Sequence, residues 1–256
     1  MSPARRTILA MGGGGFTMEP DSRALDDYVL SLVDRREPRI CFLPTASGDV
    51  EQHIAQFHAA FDDRPCEATH LSLFRLGSHP VHLRDLILSQ DVVYVGGGSM
   101  HNMLAIWRVH GLDEVLREAW DRGVVLAGLS AGAMCWFEHG VTKSTGAPGP
   151  VAGLGMLPGS LSVHRDGEPD RLPFFRDAIE RGELPGGWAV DDFAALLFRD
   201  TELVRAVCSK PGRGAARIDP GSDVELRVDL LGEARAEPPS TPVDIHEYRL
   251  ARRARG

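Results

Sequence analysis

Short apolar runs along the chain alternate with stretches in which apolar residues recur every three to four positions. Residues 7–11 (TILAM) form the first run, ended by the glycines at 12–15. Leu25, Val29, Leu32 and Val33 then fall at i, i+4, i+7 and i+8, which predicts a helix with Asp21 or Ser22 as its cap. Residues 39–44 repeat the strand signal, and Ile54, Phe57 and Phe61 mark the inner face of the next helix. A weaker strand is expected over 68–74. Residues 91–95 run into Gly96, Gly97 and Gly98, followed by helical stripes at Met100, Met103, Leu104 and Trp107 and at Leu112, Val115, Leu116 and Ala119. Residues 124–129 are apolar throughout, as a strand covered on both faces must be. This alternation predicts an α/β fold, a mostly parallel sheet flanked by helices. Beyond residue 187 the spacing tightens to strands at 188–190, 194–198, 203–208 and 224–228, predicted as an antiparallel C-terminal extension of the same sheet. No linker or repeat interrupts the pattern. A single domain over 1–256 is therefore expected, with the arginine-rich residues 249–256 as a flexible tail.

Composition narrows the function classes. With 256 residues, 43% hydrophobic and 25% charged, the chain is that of a soluble globular protein. No stretch approaches the roughly 20 consecutive apolar residues of a bilayer span, and residues 1–6 lead into a strand without a signal-like apolar region, so a cytoplasmic location is expected. Four cysteines, far apart and without a CxxC pair, predict reduced thiols rather than disulfides or a zinc knuckle. A net charge of -8 argues against a nucleic-acid partner, and no membrane partner is expected. A homodimer is compatible with the pattern but not required by it.

The chemistry concentrates at the end of the strand over 124–129. Gly128-Leu129-Ser130-Ala131-Gly132 matches the G-x-S-x-G nucleophile elbow, in which a tight strand-to-helix turn lifts the serine hydroxyl clear of the backbone. Small glycines before and after leave room for the turn, and the start of the following helix is where a developing oxyanion is stabilised. The glycines at 96–98 end a neighbouring strand, so their N–H groups can turn toward a carbonyl held at Ser130. Neither glycine cluster has the spacing of a phosphate loop. Of ten histidines, seven precede the elbow on helices and loops without metal-ligand spacing. His139 is expected on the helix leaving the elbow. His164 ends a small-residue strand and opens the polar run from Arg165 to Arg171, the setting of a general base.

These residues resemble the peptidase E (dipeptidase E, aspartyl dipeptidase) serine peptidases, relatives of cyanophycinase. The likeness runs through residues 41–49, 95–99, 128–138, 153–155 with His164, and 190–196, in that order. It implies a class I glutamine amidotransferase-like fold with serine in place of the usual cysteine, and no metal or other cofactor. It places Ser130 as nucleophile, His164 as base, and the N–H groups of Gly98 and Ala131 in the oxyanion hole. The substrate it implies is a short peptide, often with an N-terminal aspartate.

One feature departs from that family: residues 140–146 hold no carboxylate where the pattern has an aspartate. Asp166, at a His-x-acid spacing, is the expected third member of the triad, with Glu168, Glu138 and Asp192 as alternatives. Arg165 and Arg171 either hold a substrate carboxylate or pair with the acids Asp166, Glu168 and Asp170. The expected activity is that of a serine peptidase acting through an acyl-enzyme. A non-catalytic binding protein and an esterase or amidase on non-peptide substrates are the alternatives.

Overall fold

A computed structural model describes residues 5–19 and 21–232. The tail expected at 249–256 lies outside the described residues. In chain order the elements are β1 (Thr7–Met11), α1 (Ala24–Ser31), β2 (Arg39–Leu43), α2 (Glu51–Phe61), β3 (Glu67–His70), α3 (Leu83–Leu88) and β4 (Val92–Val95). Then come α4 (Met100–His110), α5 (Leu112–Asp121), β5 (Val125–Leu129), α6 (Ala131–Met134), β6 (Phe137–Thr142), β7 (Gly149–Ala152), β8 (Leu157–Ser162) and α7 (Arg171–Glu180). The chain continues with β9 (Gly187–Val190), β10 (Ala194–Arg199), β11 (Glu202–Cys208), β12 (Ala215–Asp219), β13 (Ser222–Glu225) and β14 (Asp229–Leu230). No helix among the described residues is long and apolar enough to cross a membrane.

The large sheet has the order β14-β11-β10-β1-β5-β4-β2-β3. Its five strands from β1 to β3 run parallel, and β10 is added antiparallel to β1. The two-residue period of a strand explains why these segments are apolar throughout: successive side chains point to opposite faces, and both faces are covered. Ile8, Ala10, Val93, Val95 and Leu126 pack on one face with Trp107, Leu112 and Leu116 of α4 and α5. Leu9, Met11, Val92, Tyr94, Val125 and Ala127 pack on the other with Leu25 and Val29 of α1 and Phe57 and Phe61 of α2.

The expected antiparallel extension holds only for β10 and β11. The segments at 188–190 and 224–225 belong instead to a second sheet of six strands, in the order β13-β12-β9-β8-β6-β7, covered by α7 through Phe175, Ala178 and Ile179. Chain spacing alone cannot distinguish the two arrangements, because β9 and β10 are consecutive yet lie in different sheets. The turn between them carries the chain across. His139 likewise lies on β6, since α6 ends after four residues.

On the α1 side, Asp26 is almost wholly buried and accepts a hydrogen bond from the Tyr94 hydroxyl at 3.2 Å. Burial pushes its carboxyl up to about 7, against the pull of the Arg64 guanidinium and the Tyr94 hydrogen bond. Folding therefore favours the protonated acid, so its contribution is complete below the ordinary carboxyl range and is lost as pH rises through about 7. Asp26→Asn keeps the shape without the titration. Urea midpoints measured from pH 4 to 8 should fall with pH more steeply in the parent than in Asp26→Asn; parallel curves would refute this.

Candidate active site

The elbow forms as its sequence requires. Ser130 sits at φ 53° and ψ -115°, an unfavourable conformation for a residue with a side chain. It is held there by its N–H donating to the Met11 carbonyl at 3.0 Å and by its own carbonyl accepting from Ala133 and Met134. A Cβ at Gly128 would overlap the Gly132 carbonyl, and one at Gly132 the Val95 carbonyl, so strand and helix can meet this closely only through glycine. The loop after β4 reaches the same place: a Cβ on Gly97 would stand 3.2 Å from that of Ser130. Ala131 opens α6, so its N–H has no acceptor within the helix.

His164 follows β8, also with a positive φ of 55°. Its Nε2 lies 2.8 Å from Ser130 Oγ, and its Nδ1 lies 2.5 Å from Asp192 Oδ1. With the carboxylate accepting from Nδ1–H, the neutral imidazole leaves Nε2 free to accept the serine proton. Both His164 and Asp192 are largely buried, at 20% and 14% side-chain exposure, which shields the pair from water without closing it off.

The acid at His164 is thus Asp192 and not Asp166. The reason is local. The His164 carbonyl accepts from the N–H groups of Gly167 and Glu168, which curls the chain back on itself and turns the carboxylate two residues along away from the ring. Asp166 Oδ1 accepts instead from the backbone N–H of Asp192 at 2.8 Å, and its Oδ2 meets the Arg213 guanidinium. Glu138 accepts from Gly159 N–H, and Glu168 is held by Arg171 and Lys143. No spacing in the sequence singles out Asp192 as the partner of His164. Its Oδ1 occupies the space that a Cβ on Gly13 would need, and its Oδ2 lies 3.1 Å from where one on Gly167 would be. A carboxylate between two glycines is recognisable only once the strands are paired.

The two arginines divide in favour of internal pairing, with partners not all foreseen. Arg165 forks onto both oxygens of Asp191, at 2.6 and 3.1 Å, and reaches Glu225 with its remaining nitrogen. Arg171 forks onto Glu168 at 3.1 Å through Nε and Nη2; its Nη1 is buried with no hydrogen-bond partner among the described residues. Among the described residues, no group of three or more His, Cys, Asp or Glu side chains is arranged to hold a metal ion.

The model of Peptidase family S51 matches residues 8–206, which include the elbow, His164 and Asp192. The chain belongs to peptidase family S51. Its peptidase character is shared by a Bacillus subtilis (strain 168) protein, the uncharacterized peptidase YgaJ, which is 49% identical over 231 residues covering 89% of this chain and 100% of YgaJ. The fold is that of a crystal structure of a peptidase from an acI-B1 Actinobacterium, with a TM-score of 0.62 at 18% identity, covering 87% of this chain and 97% of the other. It is also that of a Listeria monocytogenes EGD-e protein assigned to Peptidase E, with a TM-score of 0.57 at 16% identity, covering 78% and 98%.

Gly13→Ala tests the packing of this S51 site directly, because the added methyl group takes the place of Asp192 Oδ1. The variant should lose about 1–3 kcal/mol of stability, the cost of overpacking. It should also lose the downfield proton resonance of His164 Nδ1–H in the resting protein. Gly149→Ala, whose Cβ meets nothing within 4 Å, should retain both. An unaltered imidazole spectrum in Gly13→Ala would contradict the assignment.

Proposed function

We propose that this S51 peptidase is a serine peptidase of short peptides, with Ser130 as nucleophile, His164 as base and Asp192 as the acid that orients the ring. The observation that carries it is the unbroken chain of hydrogen bonds from Ser130 Oγ through His164 to Asp192, 2.8 and 2.5 Å long. As Ser130 Oγ bonds to the scissile carbonyl carbon, its proton passes to His164 Nε2, and the carbonyl oxygen becomes an oxyanion. The N–H of Ala131 and that of Gly98, in the loop against Ala46, are the donors assigned to that oxyanion. Collapse of the tetrahedral intermediate breaks the C–N bond, and His164 hands its proton to the leaving amine. Water then adds to the acyl-enzyme, giving its proton to His164, and Ser130 leaves with that proton restored to Oγ. Asp192 stays ionised throughout and stabilises the imidazolium.

The preference for short peptides rests on the resemblance to peptidase E proteins. An aspartate preference is not assigned to Arg165, whose three nitrogen donors are already engaged by Asp191 and Glu225. A panel of Asp-Xaa dipeptides, neutral dipeptides and aminoacyl esters, run with a fluorophosphonate probe, tests the assignment. Ser130→Ala should abolish both labelling and turnover, and Asp192→Asn should lower kcat by about 10⁴-fold while leaving the fold intact. Labelling of the parent at a residue other than Ser130, or peptide hydrolysis by Ser130→Ala at the parent rate, would overturn the mechanism. Faster cleavage of esters than of every peptide would move the substrate class.

A further inference from the structure

We propose that Asp166 and Arg213 form a positioning pair that fixes the Asp191–Asp192–Phe193 turn and thereby holds the Asp192 carboxylate on His164. The inference rests on the serine peptidase reading above and adds to it a pair of residues that touch neither substrate nor the imidazole.

The turn needs outside restraint. Phe193 has a φ of 67°, a left-handed conformation costly for a bulky side chain, and it directly follows the residue whose carboxylate must be placed to a fraction of an ångström. Asp192 is not part of either sheet: β9 ends at Val190 and β10 begins at Ala194. Its backbone N–H is taken up by Asp166 Oδ1. Asp166 is aimed in turn by Arg213, which also lies 5.5 Å over the Phe193 ring. One guanidinium therefore touches the group that holds Asp192 from behind and the ring that follows it.

Arg213 belongs to a loop that holds both neighbours of Asp192. Between β11 and β12, Gly214 N–H donates to Asp191 Oδ2 at 2.8 Å, Ser209 N–H donates to the Phe193 carbonyl at 2.9 Å, and Lys210 Nζ stands 3.6 Å over the Phe193 ring. Asp191 is fastened separately by Arg165. The N–H groups of Asp191 and Phe193 go to backbone carbonyls, of Gly214 and Gly13, whereas that of Asp192 goes to a side chain, Asp166. A shift of about 1 Å in a catalytic group can cost about 10²-fold in rate, so the pair is placed where it matters for turnover.

Asn keeps a carbonyl oxygen for the Asp192 N–H but turns its amide NH2 toward Arg213 and loses that pairing, whereas Ala keeps neither contact. Asp166→Asn should therefore lose less than Asp166→Ala, which should lower kcat about 10- to 100-fold with KM unchanged within about twofold. Arg213→Gln, which leaves the Asp166 acceptor in place, should also lose less than Asp166→Ala, and combining it with Asp166→Ala should add little. The readout that separates positioning from mere folding is the acid limb of kcat against pH. When Asp192 slips, the imidazolium loses its counter-charge, so the limb should move to lower pH in Asp166→Ala, and further than in Asp166→Asn, which loses the same charge but keeps the acceptor. Asp192 is joined through Asp166 to Arg213 and lies within the field of Arg171, so the same profiles are taken for Arg213→Gln. The His164 Nδ1–H resonance, recorded in a Ser130→Ala background, follows the same hydrogen bond without turnover and should weaken or move upfield in Asp166→Ala.

A rate, pH limb and resonance unchanged in Asp166→Ala would overturn the proposal. So would an Asp166→Asn loss as deep as that of Asp192→Asn, since Asp166 would then act as the acid itself. Were the parent to show no peptidase activity while the resonance still responded to Asp166→Ala, the positioning pair would stand and the serine peptidase reading alone would fail.

Discussion

Strand register is the constraint on which this site depends. Met11 on β1 stands opposite Leu129 on β5 and Ala195 on β10, so the residues just past these strand ends, Gly12 and Gly13, Ser130, and the Asp191–Phe193 turn, converge at one edge of the large sheet. In the second sheet Ser162 on β8 pairs with Ala189 on β9, and continuing by two residues brings His164 alongside Asp191. The Arg165 N–H to Val190 carbonyl bond extends that pairing past the strand ends. Each sheet by itself positions only part of the machinery. Because a one-residue slip in any of these pairings would turn every side chain to the opposite face, the two cores on either side of β1, β4 and β5 also fix the chemistry.

The site draws on two of the four places where the chain, among the described residues, passes from one sheet to the other. The crossing from β5 to β6 carries Ser130, and that from β9 to β10 carries Asp192. The strain at these two crossings is visible, since Ser130 and Phe193 have positive φ, as does His164 just past the end of β8. Conformations of this kind cost on the order of 1–3 kcal/mol each and persist only where the surroundings over-determine them. Here the over-determination comes from buried strands that the chain cannot abandon, with Leu126, Ala127, Val190 and Leu196 fully enclosed. The same strain presents the side chains outward from the turns instead of along a strand face.

The parts of the candidate site that are local were legible in the sequence. The elbow is five consecutive residues with its own steric logic, and His164 ends a strand whose small residues mark it out. The partner acid was not local, and the His-x-acid spacing pointed to Asp166 because it counts residues while ignoring the tight turn that redirects them. Likewise the strand pattern after residue 187 was legible as strands, but nothing in alternation tells a residue which of two sheets it joins. The main-sheet strands were readable because both their faces are buried, which leaves an uninterrupted apolar run. The second sheet is patterned more weakly, as in β8, where Pro158 and Gly159 interrupt the apolar residues.

The arginines near the site extend that point from shape to charge. From sequence, Arg165 and Arg171 amid acids are equally suited to a substrate or to each other's neighbours. In the fold, Arg165 ties Asp191 and Glu225, Arg171 is buried against Glu168, and Arg213 meets Asp166. A guanidinium that is already forked onto a carboxylate in a partly buried setting gives up that pairing only at a cost, because the acid it leaves behind is stranded without its counter-charge. These cations are therefore better suited to holding turns in place than to exchanging partners with each incoming peptide. The fork geometry that makes arginine a good receptor for a free carboxylate is spent here on fixed ones, Asp191 for Arg165 and Glu168 for Arg171.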